Sequence, residues 1–392
     1  MKVKQRPTDF IVEELTDITP HATGPFAFYR LDKEGWATPD AFALVRRRWE
    51  LDFHQLSYGG LKDRHAVTSQ FFTVANGPRR HFTQHRVQVT YLGQVSEPFT
   101  SQQINGNRFT ITIRHLTRDQ ATAAMTNAAP ITTVGIPNYF DDQRFGSVGP
   151  EGGFIAREMV HGRFEEALKL ALTASYEFDR ADQKREKQLL LSGWGNWAAC
   201  KASLGRGHAR SLVDYLVSHP TDFAGAVARL KPELKGLYLS AYQSFLWNRM
   251  LDRWLRTTLP GDALATVQLR LGPVSVPTRL TDGVKDRWEA LRLPLPSARL
   301  KPPADAEWLP LVEEVLAEEG LTLAKLKVPG MDKPFFSKGD RAGCVRPAGL
   351  TVEPADDELN RGRRKLTLRF DLPRGSYATM LIKRLTSLQP AP

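Results

Sequence analysis

The segment GLKDRHAVTSQ, residues 60–70, places one carboxylate, Asp63, among cations and polar groups just after a Gly-Gly pair. The glycines predict a turn, and the β-branched and aromatic residues that follow predict an extended stretch. In an extended backbone successive side chains alternate, so Lys62 and Arg64 are expected to face away from Asp63. The cation that keeps Asp63 ionised should then come from elsewhere in the chain. Taken alone, the segment is more simply interpreted as a solvated surface turn.

Other segments change that interpretation. Residues 60–70 resemble the G-x-K-D-x-x-A-x-T-x-Q signature of the TruD family of pseudouridine synthases. Three further segments resemble that family in the same order: KQRPTDFIVEEL from Lys4, GIPNYFDDQRFG at 135–146 and FDLPRGSYATMLIKRL at 370–385. Weaker similarities lie at 240–251, 261–272 and 328–347. The resemblance therefore extends over almost the whole chain.

The resemblance implies an RNA pseudouridine synthase, an isomerase with Asp63 as the nucleophile. The best-known substrate of the family is uridine 13 of tRNA, which is the expected target, and some relatives act on other sites or on messenger RNA. Such a reaction breaks a glycosidic C–N bond, turns the uracil and rejoins it through carbon, so it needs a nucleophile or cation-stabilising group at the sugar. One ionised carboxylate suffices, and neither a cofactor nor a metal is expected. A stacked target base has to be flipped into a pocket.

The family resemblance also assigns residues in the two terminal motifs. Lys4 corresponds to a family lysine near the catalytic aspartate, and an ammonium within about 4–6 Å favours the ionised carboxylate. Tyr377 and Thr379, in GSYAT, are expected to line the same cleft, although a tight turn after Pro373 also explains these residues.

The 135–146 motif supplies the remaining candidates. By resemblance, Phe140 stacks on the uracil and Asn138 holds the loop or the base. Tyr139 faces away from both in an extended stretch, which predicts a core aromatic. Arg144 is suited either to pair with Asp63 or to clamp a phosphate, since its guanidinium is a planar fork.

The chain departs from the family pattern in two places. Asp141 stands where the family usually has glycine, and its side chain is expected to fill space beside the site or to contact RNA. The stretch 163–234 has no clear counterpart in the resemblance and is expected to be an extra helical elaboration.

Hydrophobic periodicity predicts an α+β fold. Alternation at period two predicts strands at 86–92, 108–116 and 365–372, in a mixed, largely antiparallel sheet. Helical periodicity occurs at 39–49, 164–174, 238–255 and 307–319. By resemblance, the sheet belongs to the pseudouridine synthase fold and carries a helix-rich insertion domain.

The domain limits follow from the change in composition. The Gly/Pro-rich stretch 146–153 predicts a loop, after which helix formers dominate. A catalytic domain of residues 1–163 and 338–392 is expected, with an insertion domain at 164–337. The helix that contains 240–251 could instead pack on the catalytic sheet, which would move this boundary.

Charge favours a polyanionic partner. The chain has 54 Lys plus Arg against 43 Asp plus Glu, a net charge of +11. Basic residues cluster at 46–49, 79–86 and 361–369. Each cluster alone is typical of a solvated face, whereas three together favour a groove that binds RNA phosphates.

Composition and the resemblance also give expectations for the cellular location and the oligomeric state. The chain has two cysteines, Cys200 and Cys344, far apart in sequence, so we expect no disulfide framework and a reducing, cytoplasmic setting. No apolar run approaches the roughly 20 residues of a membrane helix. The resemblance suggests a monomer.

The sequence lacks the motifs of several other enzyme classes. His81 and His85 have the spacing of a zinc motif without its glutamate, and neither a GxxxxGK[ST] loop nor a GxSxG elbow is present. Two alternatives remain open: a non-catalytic RNA-binding or RNA-folding protein, and a glycosylase that uses Asp63 against a base. The first would not need Asp63, and a carboxylate that faces RNA would oppose binding unless it took part in chemistry.

Overall fold

The computed structural model describes residues 1–149, 152–176, 179–303, 305–331, 333 and 336–390. Its strands, numbered along the chain, are β1 (Lys2–Val3), β2 (Phe10–Leu15), β3 (Phe26–Glu34), β4 (Leu56–Tyr58), β5 (Val67–Ala75), β6 (Phe82–Gln84), β7 (Val87–Val95), β8 (Gly106–Leu116), β9 (Ile136–Pro137), β10 (Leu264–Leu269), β11 (Gly272–Pro277), β12 (Arg292–Pro294), β13 (Asp340–Ala342), β14 (Cys344–Val345), β15 (Ala348–Asp356), β16 (Arg364–Pro373) and β17 (Leu388–Pro390). Its α-helices are α1 (Thr38–Trp49), α2 (Arg118–Ala128), α3 (Ile131–Val134), α4 (Ile155–Val160), α5 (Phe164–Thr173), α6 (Ala181–Ser192), α7 (Trp197–Ser203), α8 (His208–Ser218), α9 (Phe223–Ala228), α10 (Pro232–Thr258), α11 (Lys285–Ala290), α12 (Leu309–Glu318) and α13 (Ala378–Thr386).

The chain divides into two compact units. The first unit comprises residues 1–136 and 345–388, and the second comprises 137–344 with the residues from 389 onward. The insertion expected at 164–337 falls within the second unit, and its limits stay a prediction. Of the loop expected at 146–153, residues 150 and 151 lie outside the described residues.

The first unit is built on a ten-stranded sheet. Its main path runs β15-β16-β8-β2-β5-β3-β7-β6, with β1 paired to β8 and β4 paired to β5. Among the described strand pairs of this sheet, only β2 and β5 run parallel, and the others are antiparallel. The predicted mixed, largely antiparallel sheet is therefore confirmed, and so is the α+β class.

Alternation along the strands contributes to the hydrophobic clusters of this unit, of which two are larger than the third among the described residues. On β8, Phe109, Ile111 and Ile113 are buried, whereas the intervening threonines are half-buried. Residues of β2, β8 and β16 pack with α2 and α13 in one cluster, and residues of β3, β5 and β7 pack with α1 in another. Fully burying one such side chain contributes roughly 1.5–3 kcal/mol, which fixes the register of the strands.

The second unit contains the long helix α10. Pro232 occupies its first turn, where a missing N–H costs nothing. Buried residues recur at helical spacing along it, including Tyr242, Leu246 and Met250. A three-stranded sheet in the order β11-β10-β17 belongs mainly to this unit.

The predicted helices are confirmed. The helices predicted at 39–49, 164–174, 238–255 and 307–319 correspond to α1, α5, α10 and α12. The stretch 163–234 holds α5 to α9 and the start of α10. Both cysteines are free thiols. Within the described parts of the chain, we find no helix with the length and apolarity needed to cross a membrane.

Candidate active site

Asp63 lies in the loop between β4 and β5, with its side chain 35% exposed. The ammonium of Lys4, 29% exposed, donates to its carboxylate, with Nζ 2.5 Å from Oδ2. Lys4 Nζ also lies 4.0 Å from the ring centroid of Phe10. Lys4 has φ = 61°, a left-handed conformation that strains a residue with a Cβ. Such strain is typical of functional positions.

Buried side chains hold the main chain of this loop. The Gln70 amide donates to Gly60 O at 3.1 Å, and the Thr38 hydroxyl accepts from Lys62 N–H at 2.9 Å. Lys33 Nζ donates to Asp63 O at 2.9 Å. These anchors order the loop without using the Asp63 carboxylate, which stays available for chemistry.

Lys62 turns away from Asp63, as alternation predicts. Its ammonium donates to Asn107 Oδ1 at 2.6 Å and forms an ion pair with Glu14 Oε1 at 2.8 Å. The other oxygen of Glu14 accepts from Phe71 N–H at 3.0 Å. Lys62 therefore neutralises a fully buried carboxylate on β2 rather than the candidate nucleophile.

A second buried network fixes the turn that follows Lys4. Asp9 accepts from Arg6 N–H at 2.9 Å and from Arg114 Nε at 2.8 Å. Arg114 also donates to Asp357 Oδ1 at 3.0 Å. Burial alone would raise the pKa of Asp357, but hydrogen bonds from the His115 N–H and other donors hold it well below its ordinary range. The network ties the N-terminal motif to β8.

Tyr377 belongs to the first unit and directly precedes α13. It is half-buried, and its carbonyl accepts from Met380 N–H at 3.1 Å. Its expected role in binding substrate stays a prediction.

In the second unit, Asn138 is clamped by the guanidinium of Arg341. Arg341 Nε donates to Asn138 O at 2.8 Å, and a terminal nitrogen donates to Asn138 Oδ1 at 2.7 Å. The Asn138 amide nitrogen donates to Ala342 O at 3.1 Å. The buried amide thus holds the loop, one of the two roles expected for it.

Phe140 lies beside this clamp and is 7% exposed. The Arg341 guanidinium carbon lies 4.1 Å from its ring centroid, and Trp247 meets the ring edge-to-face at 5.6 Å. Asn248 accepts from Phe140 N–H and donates to its carbonyl, both at 2.8 Å. Stacking of Phe140 on a base stays a prediction.

The other residues of the motif have distinct environments. Tyr139 is fully buried and donates its hydroxyl to Ser275 O at 2.9 Å, which confirms the predicted core aromatic. Burial raises the pKa of Tyr139 well above its ordinary value. Arg144 donates to Ser240 Oγ at 3.1 Å, and its buried Nε has no hydrogen-bond acceptor within the described part of the chain. Asp141 is buried at φ = −87°, a conformation that does not require glycine.

The sequence analysis missed Lys33, Thr38, Asn248 and Arg341. The sequence held one indication of the role of Lys33. On β3 it lies two residues after Leu31, on the face that Ala27, Tyr29 and Leu31 turn toward the core. A lysine at an inward position needs a buried acceptor. In the described ranges, no group of three or more His, Cys, Asp or Glu residues could hold a metal ion.

Comparisons with known proteins extend over the whole chain. The family model described as tRNA pseudouridine synthase D (TruD) matches residues 1–385, a range that includes 163–234. A Methanocaldococcus jannaschii protein named "Probable tRNA pseudouridine synthase D 2" is 30% identical over 394 residues, or 98% of this chain and 91% of that protein. An Aquifex aeolicus protein named "tRNA pseudouridine synthase D" is 26% identical over 392 residues, or 98% of each chain.

A solved structure shares the fold. The crystal structure of a TruD protein from Methanosarcina mazei has a TM-score of 0.75 and 24% identity, covering 99% of this chain and 94% of that one. The family-model match over residues 1–385 and the 30% identical relative show that the chain belongs to the tRNA pseudouridine synthase D (TruD) family of isomerases.

Proposed function

We propose that this protein converts uridine 13 of tRNA to pseudouridine, with Asp63 as the nucleophile. The observation that carries the proposal is the ion pair between Lys4 and Asp63. Asp63 lies on a loop whose main chain is held by hydrogen bonds to buried side chains. The names of the relatives support tRNA as the substrate, and the motif resemblance supports position 13.

In the proposed reaction the Asp63 carboxylate attacks the sugar of the flipped uridine, and the C1′–N1 bond breaks. The uracil turns while it is held, and a C1′–C5 bond forms as the carboxylate leaves. C5 loses a proton and N1 gains one, so the nucleotide keeps its composition. The reaction requires no cofactor, and we propose that none is used.

Lys4 and the loop anchors have separate tasks in this reaction. Lys4 holds the Asp63 carboxylate in place through the ion pair and balances its charge. The anchors at Gly60, Lys62 and Asp63 fix the main chain before RNA arrives, so little reorganisation is needed when charge develops.

We assign substrate contacts to both units separately. In the first unit, Lys4 and Tyr377 contact the RNA. In the second, Asn138 orders the binding loop, Arg144 contacts a phosphate and Phe140 stacks on a nucleobase. A base that stacks on Phe140 has to take the place of the Arg341 guanidinium or use the opposite ring face, since Arg341 lies 4.1 Å away.

The setting of the reaction is also a proposal. A monomer that needs no metal acts on tRNA in the cytoplasm. Family resemblance supports the monomer, and the net charge of +11 supports an RNA partner. The two free cysteines are compatible with a reducing compartment.

The test is to incubate the purified protein, without cofactor, with unmodified tRNA transcripts and to map pseudouridine by carbodiimide labelling and primer extension. Wild type should give a stop at one uridine, and Asp63→Asn should give none. RNA affinity should stay within about tenfold, because binding depends on many phosphate contacts.

Asp371→Asn is the matched control, because Asp371 has a similarly exposed carboxylate paired with Arg108 at 2.9 Å. It should keep wild-type activity. Activity in Asp63→Asn would remove Asp63 as the nucleophile. Tight binding without product from any tRNA would favour another RNA substrate or an RNA-binding role.

A further inference from the structure

Lys33 is a buried lysine beneath the candidate nucleophile. It is 2% exposed and follows Ala27, Tyr29 and Leu31 on the inward face of β3, each of them fully buried. Burying an ammonium is costly unless hydrogen bonds or opposite charge compensate for the lost water. The buried Lys33 ammonium therefore needs hydrogen-bond acceptors or a negative charge nearby.

Within the described part of the chain, the Lys33 ammonium donates to two main-chain carbonyls. Nζ donates to Trp36 O at 2.8 Å and to Asp63 O at 2.9 Å. Trp36 lies in the connection from β3 to α1, and Asp63 lies in the loop from β4 to β5. One ammonium thus joins two connections and fixes the residue that carries the candidate carboxylate.

The charge of Lys33 is coupled to that of Asp63. Burial lowers the pKa of Lys33 from 10.5 to about 8, the negative charge of Asp63 opposes this fall, and the positive charge of Lys62 adds to it. Lys4 pairs with the Asp63 carboxylate, and Glu14 neutralises Lys62.

We propose that Lys33 is a positioning residue for the isomerisation: its buried ammonium fixes the main chain of Asp63 and, in addition to Lys4, places a second positive charge next to the residue that carries the candidate carboxylate. This inference rests on the proposed role of Asp63 as the nucleophile. Because Lys33 is buried, it acts on the rate of reaction and not on RNA binding.

Two consequences separate this role from a merely structural one. The single-turnover rate should fall as pH rises through about 8, because Lys33 then loses its charge and its neutral amine is a weaker donor to Asp63 O than the ammonium. Removal of the side chain should lower the rate and abolish that alkaline decline. A residue that only stabilises the fold would leave the shape of the pH profile unchanged.

The experiment measures single-turnover rates on unmodified tRNA transcripts, at saturating protein, from about pH 6.5 to 9, together with the RNA Kd. Lys33→Met should lower the rate about 10- to 100-fold, since a small misplacement of a reacting group has such an effect. Its Kd should stay within about twofold of wild type, because Lys33 is buried.

Lys235→Met is the matched control. Lys235, in the second unit, is 8% exposed and donates to Ala228 O at 2.7 Å. Burial lowers its pKa as well. This variant should lose stability but retain the wild-type pH profile.

Lys33→Arg keeps a positive charge over the whole pH range. It should recover much of the rate that Lys33→Met loses, without a decline near pH 8. If Lys33→Met fails to fold by circular dichroism, Lys33→Arg decides the question, and a decline at the wild-type pH would overturn the inference.

The inference and the proposed function can fail separately. If Lys33→Met behaves like Lys235→Met while Asp63→Asn is inactive, Lys33 is not a positioning residue and the nucleophile assignment stands. If Asp63→Asn keeps the wild-type rate, the nucleophile assignment fails, and the inference fails with it.

Discussion

Lys4 Nζ lies 2.5 Å from Asp63 Oδ2, although 59 residues separate the two in the chain. Lys4 reaches this position from a left-handed backbone conformation that strains a non-glycine residue. Anchors on both sides hold the pair, with Asp9 and Arg114 fixing the turn after Lys4 and Lys33 fixing the loop of Asp63. The ion pair is therefore prepared before substrate binds.

Lys4→Met should lower the single-turnover rate about 100-fold, because Asp63 loses its counter-charge. Lys2→Met is the control, since Lys2 is exposed and donates only weakly to Asn360 Oδ1 at 3.5 Å. Both rates are measured on tRNA transcripts at saturating protein. Equal rates for the two variants would show that the ion pair does not contribute to catalysis.

Thr38→Val and Thr68→Val make the same change at two fully buried positions of the first unit. Thr38 Oγ1 accepts from Lys62 N–H and donates to Gln70 Oε1 at 3.0 Å, whereas Thr68 Oγ1 has no hydrogen-bond partner within the described residues. Thr38→Val should therefore cost about 1–3 kcal/mol in the free energy of unfolding, and Thr68→Val should be close to neutral.

Urea titration measures both free energies. Thr38→Val should also slow single-turnover catalysis, because the main chain at Lys62 is released. A loss of stability in Thr68→Val as large as in Thr38→Val would contradict the hydrogen-bond argument.

Phe140→Ala should reduce both stability and catalysis. Phe140 packs against Trp247 and Arg341, so its truncation should cost about 3–5 kcal/mol in the free energy of unfolding. If Phe140 also stacks on a base, the barrier to reaction should rise by roughly 1–3 kcal/mol. Single-turnover rates are compared at a temperature where both proteins are folded.

Tyr139→Phe is the neighbouring control. It removes one buried hydrogen bond, from the Tyr139 hydroxyl to Ser275 O, and should cost about 1 kcal/mol of stability without changing the rate. An unchanged rate in folded Phe140→Ala would show that Phe140 acts only in packing.

Asp357→Asn should make the free energy of unfolding less dependent on pH in the acidic range. The folded-state pKa of Asp357 lies below that of the unfolded chain, about 3.9, so its contribution to stability is present above that value and is lost as pH falls through the folded pKa. At pH 6 the variant should be less stable by about 2 kcal/mol.

The measurement is urea unfolding of both proteins at several pH values from about 6 down to 2.5. The difference in unfolding free energy between wild type and variant should narrow as the pH falls. A constant difference would show that Asp357 does not contribute to acid unfolding.

Much of this protein is determined by local pattern. Alternation predicted β8 and β16, and helical periodicity predicted α1, α5, α10 and α12, because a strand or helix that buries one face must repeat its apolar residues at its own period. The family also followed from short motifs, one of which selects Asp63 as the candidate nucleophile. Alternation correctly turned Lys62 away from Asp63.

The tertiary structure decided which side chains meet across the fold. Lys33, Thr38 and Gln70 come from β3, α1 and β5, yet they hold one loop together. Arg341 covers Phe140 from about two hundred residues away in the chain. Periodicity reports which face a residue occupies, but it carries no information on the partner, because that partner is selected only when distant segments pack and a buried polar group must find a donor or acceptor.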